Sequence, residues 1–167
     1  MRPGSPKRYD YEYTRKEKAN IFIAVDPKRG RRIAKVIGRR TKKDFALFVM
    51  DILKAYPWAR KLHLVVNNLN THLPKSTIET FDEEEGRNML SRIAFNHTSK
   101  HGSWLNIAEI EINVMDIECT KRRFESYEEL DSNVKVWTKR RNRQRTKIKW
   151  EFTREKADAK LSKYYAV

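Results

Sequence analysis

A cluster of polar side chains follows an apolar run at residues 65–72, VVNNLNTH. The apolar residues that end at Val66 predict a buried strand. Polar groups at the carboxyl end of such a strand are typical of a binding or catalytic site. The first polar position, Asn67, carries a neutral amide where a metal site would favour a carboxylate.

A second candidate is Glu109, in the stretch HGSWLNIAEIE. Nucleases and strand-transfer enzymes of the ribonuclease H type bring carboxylates together on two divalent ions about 4 Å apart, which activate the attacking oxygen and stabilise the leaving one. Mg²⁺ is a hard cation and prefers charged oxygen ligands. Glu109 is therefore a candidate ligand, and the open alternative is that it is one solvent-facing acid among three, with Glu111 and Glu118.

The first half of the chain predicts the elements that lead to Asn67. Alternating and apolar residues predict a β-hairpin of residues 9–13 and 19–26 and a third strand in RRIAKVI. The period then changes, and Thr41 is a plausible N-cap of a helix. One face of that helix carries Phe45, Phe48, Val49, Ile52 and Leu53. The next strand is KLHLVV.

The second half predicts the elements around Glu109. STIETFDEEEGRNMLSRI contains a helix with acids at its start, and AFNHT is a short strand. WLNIAEIEINVMDIEC predicts a helix whose buried side comprises Leu105, Ala108, Ile112, Met115 and Cys119. Further helices are expected over about 126–142 and after Thr153. The order of elements predicts one α/β domain, a mixed sheet flanked by helices with a right-handed crossover.

The composition favours a polyanionic partner. The chain has 167 residues, a formal net charge of +15 and a pI near 10.0. Basic residues are spread along the whole length, which favours nucleic acid; the alternatives are a surface that only confers solubility and a ribosome-associated module. The single cysteine, Cys119, excludes an internal disulfide. Without a membrane-spanning run or a secretory signal, we expect a cytoplasmic, nucleoid-associated protein.

The stretch TKRRNRQRTKIKW combines cations with flanking aromatic residues, which suits phosphates and bases. A solvated helix face is the alternative. The candidate DNA-binding cations and their aromatic neighbours are Lys139, Arg140, Arg141, Arg143, Arg145, Lys147, Lys149, Trp137 and Trp150. His101 and Trp104, near Glu109, are expected to contact DNA, although Trp104 could instead join the helix to the core. His72 would orient a neighbouring group or a phosphate, or cap the loop.

Several stretches together resemble one protein family. They are RYDYEYTRKEKANIFIAVDPKRG, RRTKKDFALFVMDIL, LHLVVNNLNTH, SKHGSWLNIAEIEI and RNRQRTKIKWEFTREKADAKL. In order and spacing they resemble the carboxyl-terminal catalytic region of bacterial insertion-sequence transposases related to the mariner group, which are DDE superfamily endonucleases. The resemblance covers almost the whole chain.

The resemblance implies cut-and-paste DNA transposition on a ribonuclease H-like fold. In that family three acids bind Mg²⁺ or Mn²⁺, and the protein acts as a dimer on element ends and target DNA. The third acid falls on Glu109, and the second falls on Asn67. The first acid belongs to a strand that is expected to precede this sequence. The helix-turn-helix domains of the family are also expected to precede it. The resemblance thus implies that residues 1–167 are part of a catalytic domain that lacks the first strand and is catalytically inactive.

Two other functions compete with that interpretation. One is a non-catalytic DNA-binding protein, or one that interacts with an intact transposase. The other is an active nuclease of the same fold that draws replacement acids from Asp10 or Asp26. Asp10 is disfavoured as the first acid because the matching motif in relatives follows the first catalytic strand.

Overall fold

The first two strands form an antiparallel hairpin. The computed structural model describes residues 18–67, 74–98, 107–149 and 153–162, so the predicted strand at 9–13 lies outside the described residues. Strand β1 (Asn20–Asp26) pairs with β2 (Arg31–Ile37), from Asn20 opposite Ile37 to Asp26 opposite Arg31. Gly30 closes the turn with φ +64°, a conformation that glycine adopts without steric cost.

Helix α1 (Lys42–Ala55) covers the core. Thr41 caps it through a capping box, in which its side chain accepts from the backbone N–H of Asp44 and the Asp44 carboxylate accepts from the backbone N–H of Thr41. The predicted cap is therefore confirmed. The predicted apolar face is confirmed as well, because all five of its residues are buried: Phe45, Phe48, Val49, Ile52 and Leu53.

A parallel strand pair follows α1. Strands β3 (Leu62–Val66) and β4 (Ile93–His97) are connected through helices α2 (Lys75–Thr80) and α3 (Glu83–Ser91). The predicted helix with acids at its start is confirmed as α3, whose first turn carries Glu83, Glu84 and Glu85. The short helix α2 was not predicted; it is separate because Phe81 adopts an extended conformation and Asp82 starts α3, accepting from the backbone N–H of Glu85.

Strand β3 is only half buried, which corrects the prediction of a buried strand. The side chains alternate, and Val65 is 57% exposed while Leu64 and Val66 pack against the core. One face of β3 is thus covered and the other is open to solvent among the described residues, as in a sheet with a single packed side.

The two strand pairs share one core beneath α1. Phe22 of β1 stacks on Phe48 at a centroid distance of 5.3 Å, and Phe45 contacts Phe95 of β4 at 6.2 Å. Among the described residues the pairs form two separate sheets, so the predicted continuous sheet is not seen there. The fold is mixed α/β with small sheets, compatible with the ribonuclease H-like class; the loss of a first strand stays a prediction.

The next two helices along the chain pack beside β1 and β2. Helix α4 (Ala108–Met115) runs into a π-helical turn (Asp116–Thr120), and α5 (Tyr127–Gln144) and α6 (Arg154–Leu161) follow. Thr153 caps α6, as predicted, and α5 confirms the helix predicted over about 126–142, with Ser126 as its cap. No helix of the described segments is long and apolar enough to cross a membrane.

The buried face of α4 differs from the predicted one. Ile112 is 40% exposed, and Ala108 and Cys119 are only partly buried, whereas Met115 is buried as predicted. Leu105 lies outside the described residues. Glu111 is buried in place of Ile112 while Met115 stays buried, so the buried face is turned toward Glu111 by less than the angle of about 100° between neighbouring residues.

The length of α1 separates the β1–β2 turn from the carboxyl end of β3. Arg31 at the start of β2 donates to the carbonyl of Ala55, the last residue of α1, at 2.8 Å, and β3 also begins shortly after α1 ends. Strands β2 and β3 therefore both run opposite to α1, a helix of 14 residues and about 21 Å. The hairpin turn lies near the end of α1, and the carboxyl end of β3 lies near its start.

Candidate functional site

Asn67 and Glu109 meet at the carboxyl end of β3. Asn67 directly follows the strand, and Glu109 lies in the first turn of α4, 42 residues later. The Nδ2 of Asn67 donates to Oε1 of Glu109 at 3.4 Å, and both residues are partly buried. The carboxyl end of one strand and the start of one helix thus bring the two candidates together.

His97 lies at the same edge, and it was not predicted as a site residue. It ends β4 opposite Val66, and the backbone N–H of the next residue, Thr98, donates to the Val66 carbonyl at 3.0 Å. The imidazole is exposed. The carboxyl ends of parallel strands meet at one edge of a sheet. A prediction that β3 and β4 pair in parallel would therefore have identified His97 as a residue of this edge.

The donor set that the described residues supply at this edge does not fit a pair of divalent ions. Glu109 supplies one carboxylate, whereas Asn67 directs its N–H toward that carboxylate and supplies no negative charge. Among the described residues, no three His, Cys, Asp or Glu side chains are grouped as a metal site. The hydrogen bond is also at the long end of the normal range, so it holds the two side chains together only weakly.

A buried ion network fixes the helix that carries Glu109. Nη2 of Arg32 lies 2.8 Å from Oε2 of Glu111, and Nε of Arg141 lies 3.2 Å from its Oε1. The side chains of Arg32 and Glu111 are completely buried. Arg32 also donates through Nη1 to the carbonyls of Gly30 and Thr146. The network joins β2, α4 and α5 two residues from Glu109.

The Glu111 carboxyl is ionised in this network. Burial alone would raise its pKa, but hydrogen bonds from Arg32 and Arg141 and their positive charges outweigh the burial, and the pKa is lowered. The expectation that Glu111 is a solvent-facing acid is therefore wrong. Its signal in the sequence is the spacing to Met115, because residues i and i+4 share one face of a helix and Met115 was predicted to be buried.

The predicted DNA-binding run divides between the interior and the surface. Arg141 has an exposure of only 12% and faces Glu111 and Glu118, so it is held by internal carboxylates. Arg140 pairs with Glu118 at 2.6 Å, and Trp137 is buried and donates to the same carboxylate. Trp137 and Arg141 therefore present little surface to a phosphate, and the DNA-binding role of the run stays a prediction.

The other cations of the run are on the surface. They make no ion pair with any residue in the described segments: Lys139, Arg143, Arg145, Lys147 and Lys149. Four other candidate residues lie outside the described residues, so their predicted contacts stay predictions: His72, His101, Trp104 and Trp150.

The remaining candidate acids and the thiol do not join this edge. Asp26 pairs with Arg29 at the hairpin end of the molecule, away from Asn67, and Asp10 lies outside the described residues. Burial raises the pKa of the partly buried Cys119 thiol, so the thiol stays protonated, as suits a packing residue.

Comparison with known proteins identifies a family for most of the chain. Residues 1–131 match the family model described as DDE superfamily endonuclease. Searches among curated proteins and among solved structures return no significant match. The matched region contains both Asn67 and Glu109.

Proposed function

Because this chain belongs to the DDE superfamily endonuclease family, we propose that it is a transposase catalytic domain of the insertion-sequence type, related to the mariner group, in which residues 1–167 form part of that domain. Asn67 and Glu109 take the positions of the second and third acids. The observation that carries this proposal is the 3.4 Å contact between Asn67 Nδ2 and Glu109 Oε1, which joins two residues 42 positions apart.

The proposal includes catalytic inactivity of the chain. In the family, carboxylates would hold Mg²⁺ or Mn²⁺, which supply the Lewis acidity for phosphoryl transfer on DNA. A carboxylate near a cation contributes several kcal/mol even at an effective dielectric constant of about 20. Asn67 forfeits that charge, and its N–H is turned toward Glu109. The amide thus makes a weak hydrogen bond to Glu109 where a carboxylate would share a cation with it.

A nicking assay tests this proposal. Purified chain incubated with supercoiled plasmid and Mg²⁺ or Mn²⁺ should leave the plasmid intact. Asn67→Asp alone should also leave it intact, because the described residues still supply only two carboxylates. Metal-dependent nicking by the unaltered chain that disappears in Glu109→Gln, and persists in the exposed-acid control Glu83→Gln, would contradict inactivity.

The second candidate function is non-catalytic DNA binding, with or without contact to an active transposase. The net charge of +15 and the surface cations of α5 favour it. Under either function we propose DNA as the partner, a homodimer as the assembly and a nucleoid-associated location. DNA binding at low salt by a chain that never cleaves would favour the second function over an inert remnant.

A further inference from the structure

A basic pocket lies between the β1–β2 turn and the end of α5, away from Asn67 and Glu109. Its volume is about 560 Å³. Five of its seven lining residues are cations, and the lining comprises Lys28, Arg29, Gly30, Arg31, Asn142, Arg145 and Lys147. Only two of these cations belong to the run that the sequence singled out; the other three come from the hairpin, more than 100 positions earlier.

The pocket is built by close packing of backbone on backbone. A Cβ on Gly30 would lie 2.5 Å from the backbone carbon and oxygen of Arg145, so only glycine allows the end of α5 to approach the turn. Arg145 adopts a left-handed conformation with φ 48°, and the chain then returns along the hairpin, where Ile148 N–H donates to the Pro27 carbonyl at 3.3 Å. The two cationic segments are thereby held side by side.

The charges in the pocket are largely uncompensated. Arg29 is neutralised by Asp26, through Nη1 at 3.3 Å. Lys28, Arg145 and Lys147 are exposed and form no ion pair with another described residue. Like charges that converge in this way repel one another, and an anion in the pocket would remove that repulsion.

An exposed indole borders the same cations. The guanidinium of Arg29 lies 4.7 Å from the ring centroid of Trp58, which is 60% exposed, and that of Arg31 lies 5.1 Å from the ring of Tyr56. These contacts hold both guanidinium groups on the rim, and Arg31 forms no ion pair with another described residue. Cations fixed on the rim in this way match the phosphates of a nucleic-acid backbone.

We propose that this pocket binds the phosphate backbone of duplex DNA, at a position separate from the Asn67–Glu109 edge. The choice of DNA rests on the proposed function; the anion chemistry rests on the pocket alone. The hairpin turn lies at the end of α1, and Asn67 lies toward its start, so a duplex held in the pocket contacts a different part of the molecule from the candidate catalytic edge.

The experiment compares two variants of the full chain that lose the same charge. The pocket variant is Lys28→Gln/Arg145→Gln/Lys147→Gln, and the matched control is Lys43→Gln/Lys121→Gln/Arg123→Gln, which removes three exposed cations elsewhere. Binding of a fluorescent 20-base-pair duplex of arbitrary sequence is measured by anisotropy in EDTA, at several salt concentrations between about 50 and 200 mM. Melting curves verify that both variants fold, and Lys28→Gln/Lys147→Gln leaves the end of α5 intact if the triple variant does not.

The pocket variant should bind at least about tenfold more weakly, and its slope of log K against log salt should fall by about 2 to 3, because each phosphate contact contributes about 0.9 to that slope. The control should change affinity by less than about threefold. Equal losses of duplex affinity in the pocket variant and the control variant would overturn the proposal that the pocket binds DNA. A pocket-dependent preference for single-stranded RNA would overturn the assignment to DNA. Because EDTA removes divalent ions, a failed nicking proposal would leave this result unaffected.

Discussion

At the scale of single residues, Glu111 determines how the candidate site is held. It is the buried acid of α4, and two arginines from different elements converge on it. The neighbouring Glu109 reaches the strand end instead, where Asn67 meets it. Two acids separated by one residue therefore have different tasks, one structural and one at the candidate site, because they project from different sides of the helix.

Removing the charge of Glu111 should destabilise the fold. Glu111→Gln leaves the buried guanidinium of Arg32 without a counter-charge, and we expect a loss of about 3 kcal/mol in the free energy of unfolding, measured by urea denaturation at neutral pH. Glu83→Gln is the control, because that side chain is 70% exposed and its pair with Arg87 contributes little. Equal stability of the two variants would contradict a structural role for the network.

The same network predicts a pH dependence. The pKa of Glu111 in the folded chain is below its ordinary value of 4.5, so its contribution to stability is complete above about pH 4.5 and is lost as the pH falls through the lowered pKa. The stability difference between the unaltered chain and Glu111→Gln should therefore shrink from about pH 6 to about pH 3. A difference that stays constant over this range would contradict the lowered pKa.

At the scale of elements, α5 covers the outer edge of the β1–β2 hairpin. The Asn142 side chain accepts from the backbone N–H of Arg32 at 2.7 Å and donates to its carbonyl at 2.8 Å, as a neighbouring strand would. At the other end of the helix, the Tyr127 hydroxyl donates to the Val36 carbonyl at 2.7 Å. Side chains of a helix thus satisfy a strand edge that would otherwise be open to pairing with another chain.

Asn142→Ala tests this edge. It leaves two partly buried backbone groups of Arg32 without partners, and we expect a loss of about 2 kcal/mol in the free energy of unfolding. Asn133→Ala on the same helix removes a single bond, to the Glu129 carbonyl in its own helix, and should cost less than about 1 kcal/mol. A larger loss of unfolding free energy in Asn133→Ala than in Asn142→Ala would show that the hydrogen bonds between Asn142 and the Arg32 backbone contribute little.

At the scale of the whole molecule, one core serves two small sheets. Phe22 and Phe45 join β1 and β4 through α1, although no backbone ladder connects the strand pairs in the described segments. Among those residues β1 and β3 each pair on one side only. Val65 lies on the open face of β3, whose second edge is unpaired among the described residues; an apolar side chain in this position favours aggregation.

Val65→Lys should slow aggregation without lowering the melting temperature, because the charge opposes pairing between chains and the side chain is already mostly in solvent. Light scattering during heating measures the first effect, and circular dichroism the second. Leu64→Lys is the contrasting variant. Because Leu64 packs against the core, this substitution should lower the melting temperature strongly. A Val65→Lys chain that aggregates as fast as the unaltered one would exclude this edge as the source.

Local patterns in the sequence predict much of this fold. The N-cap at Thr41 and the apolar face of α1 are set within a few residues, so both were predicted correctly. The burial of Glu111 was not predicted: its spacing to Met115 is a local signal for a buried face, but the partner that makes a buried acid tolerable, Arg32, lies 79 positions away. Asn67 and Glu109 were predicted to share a site only from the resemblance to a family. Their contact depends on how the end of β3 and the start of α4 meet, which no local pattern in the sequence encodes.

The most direct test of the central claim, that Asn67 stands at an acid position beside Glu109, is the melting temperature of Asn67→Asp with and without Mn²⁺. Two carboxylates in place of the amide–carboxylate contact at 3.4 Å repel each other without a cation, so the variant should melt below the unaltered chain. Saturating Mn²⁺ should raise its melting temperature by about 5 °C or more, and should change neither the unaltered chain nor Asn67→Asp/Glu109→Gln. Asn67→Asp that melts at the same temperature with and without Mn²⁺ would contradict the account.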